Sequence, residues 1–253
     1  MAYTSIDDPA QYFNTAIWTG TGDSTTAVTN VGHQPDWIWI KNRDVADDHM
    51  IYDSVRGGTK RMFSNSNGAE GTESQGIQSF DSDGFTTGTH RATGGDASNK
   101  MVAWNWKAGG TASNSNGSIT SSVSASTTAG FSIVSYTATG SNATVGHGLG
   151  SAPQLVIIKD RDVIRDWIVG NTATGFDKYL LLNSNDASTT SSNKFQDTAP
   201  SSSVITIGTH GYVNNSGSDY IAYCFAEKKG YSKIGSYTGN GSTDGTFVYT
   251  GFK

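Results

Sequence analysis

The chain has 253 residues, a formal net charge of −5, and 15% charged residues, against the roughly one quarter usual for a soluble domain. No cluster of Lys or Arg offers a phosphate-tracking surface, so no nucleic-acid partner is expected. No apolar run approaches the ~20 residues of a spanning helix, so no membrane insertion is expected, while 11% aromatic residues supply apolar bulk for a core.

In chain order, Met1 to Pro9 has neither a basic flank nor an apolar stretch and does not read as a secretory signal. A helical turn is expected around Asp7 to Tyr12, capped by Ser5 or Asp7. Trp37-Ile-Trp-Ile40 is a continuous apolar run, a strand buried on both faces. Asp81-Ser-Asp83-Gly84 opens like a calcium loop but lacks the later acidic ligand, and reads as a tight turn between Phe80 and Phe85. Val102, Trp104 and Trp106 alternate with smaller residues, the period of a strand.

From 111 to 130, fifteen of twenty residues are Ser, Thr, Asn or Gly. The stretch reads as a linker whose end, with Ile119 and Val123, turns into strand. Phe131 to Tyr136, Leu155 to Ile158, Ile221-Ala-Tyr223-Cys-Phe225 and Phe247-Val-Tyr249 are further strands. Gly146-His-Gly-Leu-Gly150 reads as a strand connection, because no helix follows to bind phosphate. Cys224, the single cysteine, excludes an intrachain disulfide and reads as a small core residue. Turn dipeptides such as Asn67-Gly68, Asp83-Gly84 and Ser216-Gly217 recur at short intervals. The pattern implies an all-β fold of the sandwich or jelly-roll kind.

An internal repeat organises these strands. Pro35-Asp-Trp-Ile-Trp-Ile-Lys41-Asn-Arg43-Asp44 returns as Pro153-Gln-Leu-Val-Ile-Ile-Lys159-Asp-Arg161-Asp162, an offset of 118 residues. At that offset Trp18 falls on Tyr136 and Asn65-Ser66 on Asn183-Ser184. Met101 to Trp106 falls on Tyr220 to Phe225 at an offset of 119. Tyr237-Thr-Gly-Asn-Gly241 repeats the Trp18 segment once more. The expected organisation is tandem β-sandwich modules of about 100 residues each. Residues 1–110 form an N-terminal arm plus the first module, 111–130 the linker, 131–227 the second module, and 228–253 the opening of an incomplete third.

No catalytic residue, cofactor site or metal ligand set emerges. His33, His49, His90, His147 and His210 lack metal-ligand spacing, and His49 is matched by Trp167, which marks a packing position. Lys41, Arg43 and Asp44 recur in the second unit, as scaffold residues do, and are expected to pair on the surface at a strand end. No nucleophile elbow, HExxH or P-loop is present. A polysaccharide hydrolase would need two carboxylates facing across a cleft, and nothing singles out a pair. A glycan-binding array would use exposed aromatics, for which Trp18, Trp104, Trp106 and Trp167 are the candidates.

Several segments together carry a resemblance: Tyr3 to Phe13, Trp18 to Gly22, Gln34 to Arg43, Ser79 to Phe85, Val102 to Gly110, Gly130 to Tyr136, Gly146 to Gly150 and Gly235 to Gly241. The set resembles an uncharacterised family of tailed-phage virion proteins, from phages of marine bacteria. His33 and Gln154 depart from its pattern, which has an aromatic and an acidic residue there. The resemblance implies a non-enzymatic tail fibre, appendage or capsid surface protein, assembled in the host cytoplasm and located in the virion. Its arm, Met1, Ala2, Tyr3, Thr4, Ser5, Ile6, Asp7 and Asp8, would dock to other virion proteins while the modules project outward in series. A homo-oligomer, with a trimer as the habit of phage fibres, and a host surface glycan are the further partners expected.

Overall fold

A computed structural model of the chain describes residues 4, 6–22 and 24–252. The fold is all-β, and its helical elements are single turns. The first half holds β1 (Phe13–Thr19), β2 (Thr26–Val28), β3 (Trp37–Asn42), β4 (Met50–Asp53), β5 (Lys60–Phe63), β6 (Gly71–Thr72), β7 (Ile77–Asp81), β8 (Gly84–Thr87) and β9 (Lys100–Trp106). The second half holds β10 (Thr111–Asn114), β11 (Ser121–Ser126), β12 (Phe131–Thr137), β13 (Ala143–Gly146), β14 (Leu155–Asp160) and β15 (Ile168–Asn171). It continues with β16 (Gly175–Leu181), β17 (Thr189–Thr190), β18 (Val204–Ile207) and β19 (Asp219–Phe225).

A large sheet runs β1-β9-β3-β4-β5-β6, and a second runs β10-β11-β12-β19-β14-β15-β16-β17. The order β1-β9-β3-β4-β5 is therefore repeated as β12-β19-β14-β15-β16. β1 and β12, β3 and β14, and β4 and β15 each begin 118 residues apart. Two small sheets complete the fold, β2-β8-β7 and β13-β18. In the first half, Val28, Ile77 and Phe85 of the small sheet pack on Ile38, Ile40, Met101 and Ala103 of the large one. In the second, Val145, Ile205 and Ile207 pack on Val134, Val156, Ile158 and Ala222.

The remaining faces of the two large sheets meet each other. Trp37, Ile51 and Met62 join Ile133, Ile157, Trp167, Val169, Ile221 and Tyr223 in one cluster. The layers thus run small, large, large, small. This explains the continuous apolar runs: Ile38 and Ile40 face one core while Trp37 and Trp39 face the other. The two halves do not stand end to end, because the second faces of their large sheets are too apolar to be left in water.

Several expectations change at this level. Residues 111–130 are not a free linker. β10 pairs with β11, and β11 with β12, extending the second large sheet at its edge, because the outer N–H and C=O groups of β12 need partners. The N-terminal turn is a 3-10 helix over Pro9–Gln11 capped by Asp8, whose carboxylate accepts the Ala10 N–H at 3.1 Å. Phe247-Val-Tyr249 forms no strand, and among the described residues it joins no ladder. The turn at Asp83-Gly84 needs its glycine, since φ is +144° and a Cβ there would run into the Val28 carbonyl.

Candidate functional site at the seam between the large sheets

The turn after β4 carries Arg56 into the seam, where its side chain is wholly out of solvent. Its Nε pairs with Asp53, itself fully buried. One Nη donates to the Lys60 carbonyl at 2.9 Å and to Glu70 at 3.1 Å, and the other to the Ile51 carbonyl at 3.3 Å. From the other half, the Tyr223 hydroxyl donates to Asp53 at 2.7 Å. Arg161 grips both oxygens of Glu70 at 2.9 and 3.0 Å. Burial alone would raise the Glu70 carboxyl, but the hydrogen bond from Arg161 and the charge of Arg56 hold it below its ordinary value. Burial likewise opposes the Arg56 charge, and Asp53, Tyr223 and Glu70 outweigh it, so the guanidinium stays ionised. Two carboxylates and two guanidiniums thus neutralise each other across the seam.

Beside this network lies an aromatic cluster. The rings of Trp37 and Tyr223 stack with centroids 4.5 Å apart, and Phe131 lies 5.6 Å from Trp37. Trp106 packs 4.4 Å from Trp37 and 6.3 Å from Phe225. Where the seam opens, Phe13, Trp106, Phe131, Leu155, Phe225 and Tyr231 line a cavity of about 240 Å³. Ser232 and Lys233 stand at its rim, and Lys233 pairs with Glu227 at 3.3 Å. Such a cleft can hold a ring or an aliphatic group against aromatic walls; its lining carries no carboxylate for acid–base chemistry.

The tryptophans expected to stack on glycans are divided among different environments. Trp167 is fully buried and donates its ring N–H to the carbonyls of Phe63 and Ser66, at 2.9 and 3.1 Å; it is lost to the glycan reading. Trp18 packs edge-on against Phe85 in the first core, half-buried. Trp104 is half-buried and meets Trp39 edge-on at 6.4 Å. Trp106 lines the seam cavity. Of the arm, Met1, Ala2, Tyr3 and Ser5 lie outside the described residues. Ile6 is buried at 2% exposure within the chain, so it is not free to dock, and Thr4 accepts its N–H at 3.0 Å.

Apart from Arg161, which grips Glu70, the repeated polar residues hold backbone in equivalent places. Asp44 accepts the Lys100 N–H at 2.7 Å, and Asp162 the Asp219 N–H at 2.8 Å, each clasping the start of the strand that closes its unit. Asn65 accepts from His49 N–H and Asn183 from Trp167 N–H, both at 2.9 Å. Lys41 donates to the carbonyls of Asn42, Val45 and Asp47. The expectation that these charges all leave the core fails at Lys159. It is fully buried in the seam and donates to the Asp160 carbonyl at 2.7 Å, and burial lowers its ammonium to about 8 despite Asp160.

His90 and His210 share one unforeseen role: each accepts the N–H two residues on, capping a short helix. Asp83 accepts the N–H groups of Asn30 and Gly32, and no group of residues suited to a metal occurs among the described residues.

Sequence reasoning missed Arg56, Asp53 and Glu70. The signal lay in departures from the repeat: at the offset of 118 they fall on Thr174, Asn171 and Ser188. Asn171 keeps the turn-holding role of Asp53, accepting the N–H groups of Ala173 and Thr174 at 3.0 Å. In this pair of turns only the first half carries the charge, Asp53 and Arg56 standing where the second half has Asn171 and Thr174.

The geometry defines an all-β protein whose two large sheets share one strand order and are joined through a neutralised, aromatic seam. The chain belongs to the family described as a domain of unknown function, DUF7483, whose pattern matches residues 8–253. No curated protein and no solved structure matches it significantly. Among the described residues no helix is long and apolar enough to cross a membrane.

Proposed function

We propose that the chain is a structural and interaction protein of a virion, a tail fibre or appendage or a capsid surface component, built from tandem jelly-roll-like modules of about 100 residues. Successive strands β1, β2 and β3 alternate between large and small sheet, as do β8 and β9, which is how a jelly roll wraps. The observation that carries the functional reading is the use made of polar residues. Most of the repeated ones hold backbone, while the unrepeated Arg56, Asp53 and Glu70 meet Arg161 and Tyr223 of the second half and so join the two halves. Such a body suits a passive mechanical part better than a catalyst.

Electron cryomicroscopy of the particle from which the chain comes tests this. Density for the chain against tail or capsid protein supports the reading, and its symmetry gives the oligomer. A chain free in solution and absent from particles overturns it.

A second reading, binding of a host surface glycan, is favoured by Trp106 in the seam cavity and by Trp104 on the adjoining sheet face. Both readings hold together if the particle uses this protein for attachment. Binding of host polysaccharide that disappears in Trp106→Ala or Trp104→Ala supports it, and unchanged binding in both removes it.

A further inference from the structure

The two halves differ at one equivalent place, the outer edge of the first strand. β1 is an edge strand whose neighbour is β9. Tyr12 accepts the Lys107 N–H and Gly20 donates to Asn99, so the even-numbered residues bond β9. By antiparallel alternation Thr15, Ile17 and Thr19 turn their N–H and C=O groups to the open side. Thr15 gives its N–H to the Asn14 side chain at 2.9 Å, and Ile17 is 71% exposed. In β12 the corresponding residues, Ile133 and Ser135, are paired with Ser124 and Ser122 of β11. The fold therefore accepts an added strand at this edge, and the first half, among its described residues, lacks one. β1 also carries no Lys, Pro or bulge, the features that keep exposed edges from pairing.

A strand-forming segment stands unused elsewhere. Thr246-Phe-Val-Tyr-Thr250 is uncharged and composed of residues that favour strands. It forms no ladder, and Phe247 is 86% and Tyr249 79% exposed. The same chain passes the start of β1, since Ile234 lines the seam cavity with Phe13, yet residues 246–250 do not lie on their own β1.

We propose that residues 246–250 of one copy add to the open edge of β1 in a second copy, as β11 adds to β12. The acceptor and donor are different surfaces, so two copies close as a dimer when each gives its segment to the other, and otherwise continue head to tail into a larger ring or a filament. This inference stands apart from the virion reading and survives its failure.

Sedimentation velocity of the full chain across a concentration series tests it. The full chain associates as concentration rises, to a dimer where the exchange is reciprocal and beyond it where it is not. Ile17→Pro, which removes an outward N–H that β9 does not use, and a chain ending at Asp244 each weaken association about tenfold or more. Mixing these two variants restores one joint, because the first keeps the donor and the second the acceptor, and gives 1:1 dimers that grow no further. Ile17→Lys serves as the edge variant if the proline version melts below the parent. A full chain that stays monomeric throughout overturns the proposal. So does assembly that survives truncation at Asp244, which would assign the edge to another segment.

Discussion

Replacing Arg56 with Met removes a wholly buried guanidinium and leaves a side chain of comparable reach. Lost with it are the ion pair to Asp53 and the bonds to the Lys60 carbonyl, Glu70 and the Ile51 carbonyl. Asp53 keeps the Tyr223 hydroxyl at 2.7 Å and the backbone N–H of residue 56 at 2.8 Å. It loses the cation it touches and is stranded as a buried charge. Removing one partner of a buried pair costs about 3–5 kcal/mol. At roughly 2–4 °C per kcal/mol for a chain of this size, the melting temperature should fall by roughly 6–20 °C. Urea denaturation gives the free energy directly, and the double variant Asp53→Asn/Arg56→Met isolates the charge. With no carboxylate stranded, it should recover part of the loss. A loss under about 1 kcal/mol in the single variant, the scale of a solvent-exposed pair, or a double variant less stable than the single, refutes the reasoning.

Trp37→Ala, at the centre of the aromatic seam, should cost roughly 3–5 kcal/mol in the same assay, and the half-buried Trp104→Ala clearly less; equal losses would mean the seam is not packed as described. Cys224 is fully buried and burial pushes its thiol up to about 12, so native protein should resist iodoacetamide at pH 8 and label only when unfolded. His147 is fully buried; Leu149 N–H donates to its Nδ1, and its Nε2 faces the Ser201 carbonyl at 3.2 Å. Burial holds the ring neutral, below the ordinary histidine value of 6.5, against the smaller effect of the Ser201 carbonyl. The unfolded chain therefore binds the extra proton first, so stability is complete above that value and declines as pH falls below it. The decline between about pH 6.5 and 5 should be shallower in His147→Gln, and an unchanged slope would show that this ring does not contribute.

The sequence by itself determined the strand content and the duplication. The offset of 118 read from Pro35 and Pro153 is the offset at which β1, β3 and β4 recur as β12, β14 and β15. The runs Trp37 to Ile40 and Leu155 to Ile158 also declared burial on both faces. Apolar periodicity says which sides of a strand avoid water, and repetition says which residues the fold requires twice.

Only the tertiary structure decided what covers each face. Asp53 and Tyr223 meet across 170 positions of sequence, and nothing local to either anticipates the other. The Ser-rich stretch before the second half was legible as polar, but its pairing depended on an edge that β12 presents only once folded. Trp104 and Trp167 look alike in sequence, yet one is half-buried and the other fully buried, because Trp167 belongs to the cluster between the large sheets and Trp104 does not. Local pattern sets the chemistry of a surface, whereas the contact between surfaces is set by how whole sheets stack, a property that no short stretch of chain contains.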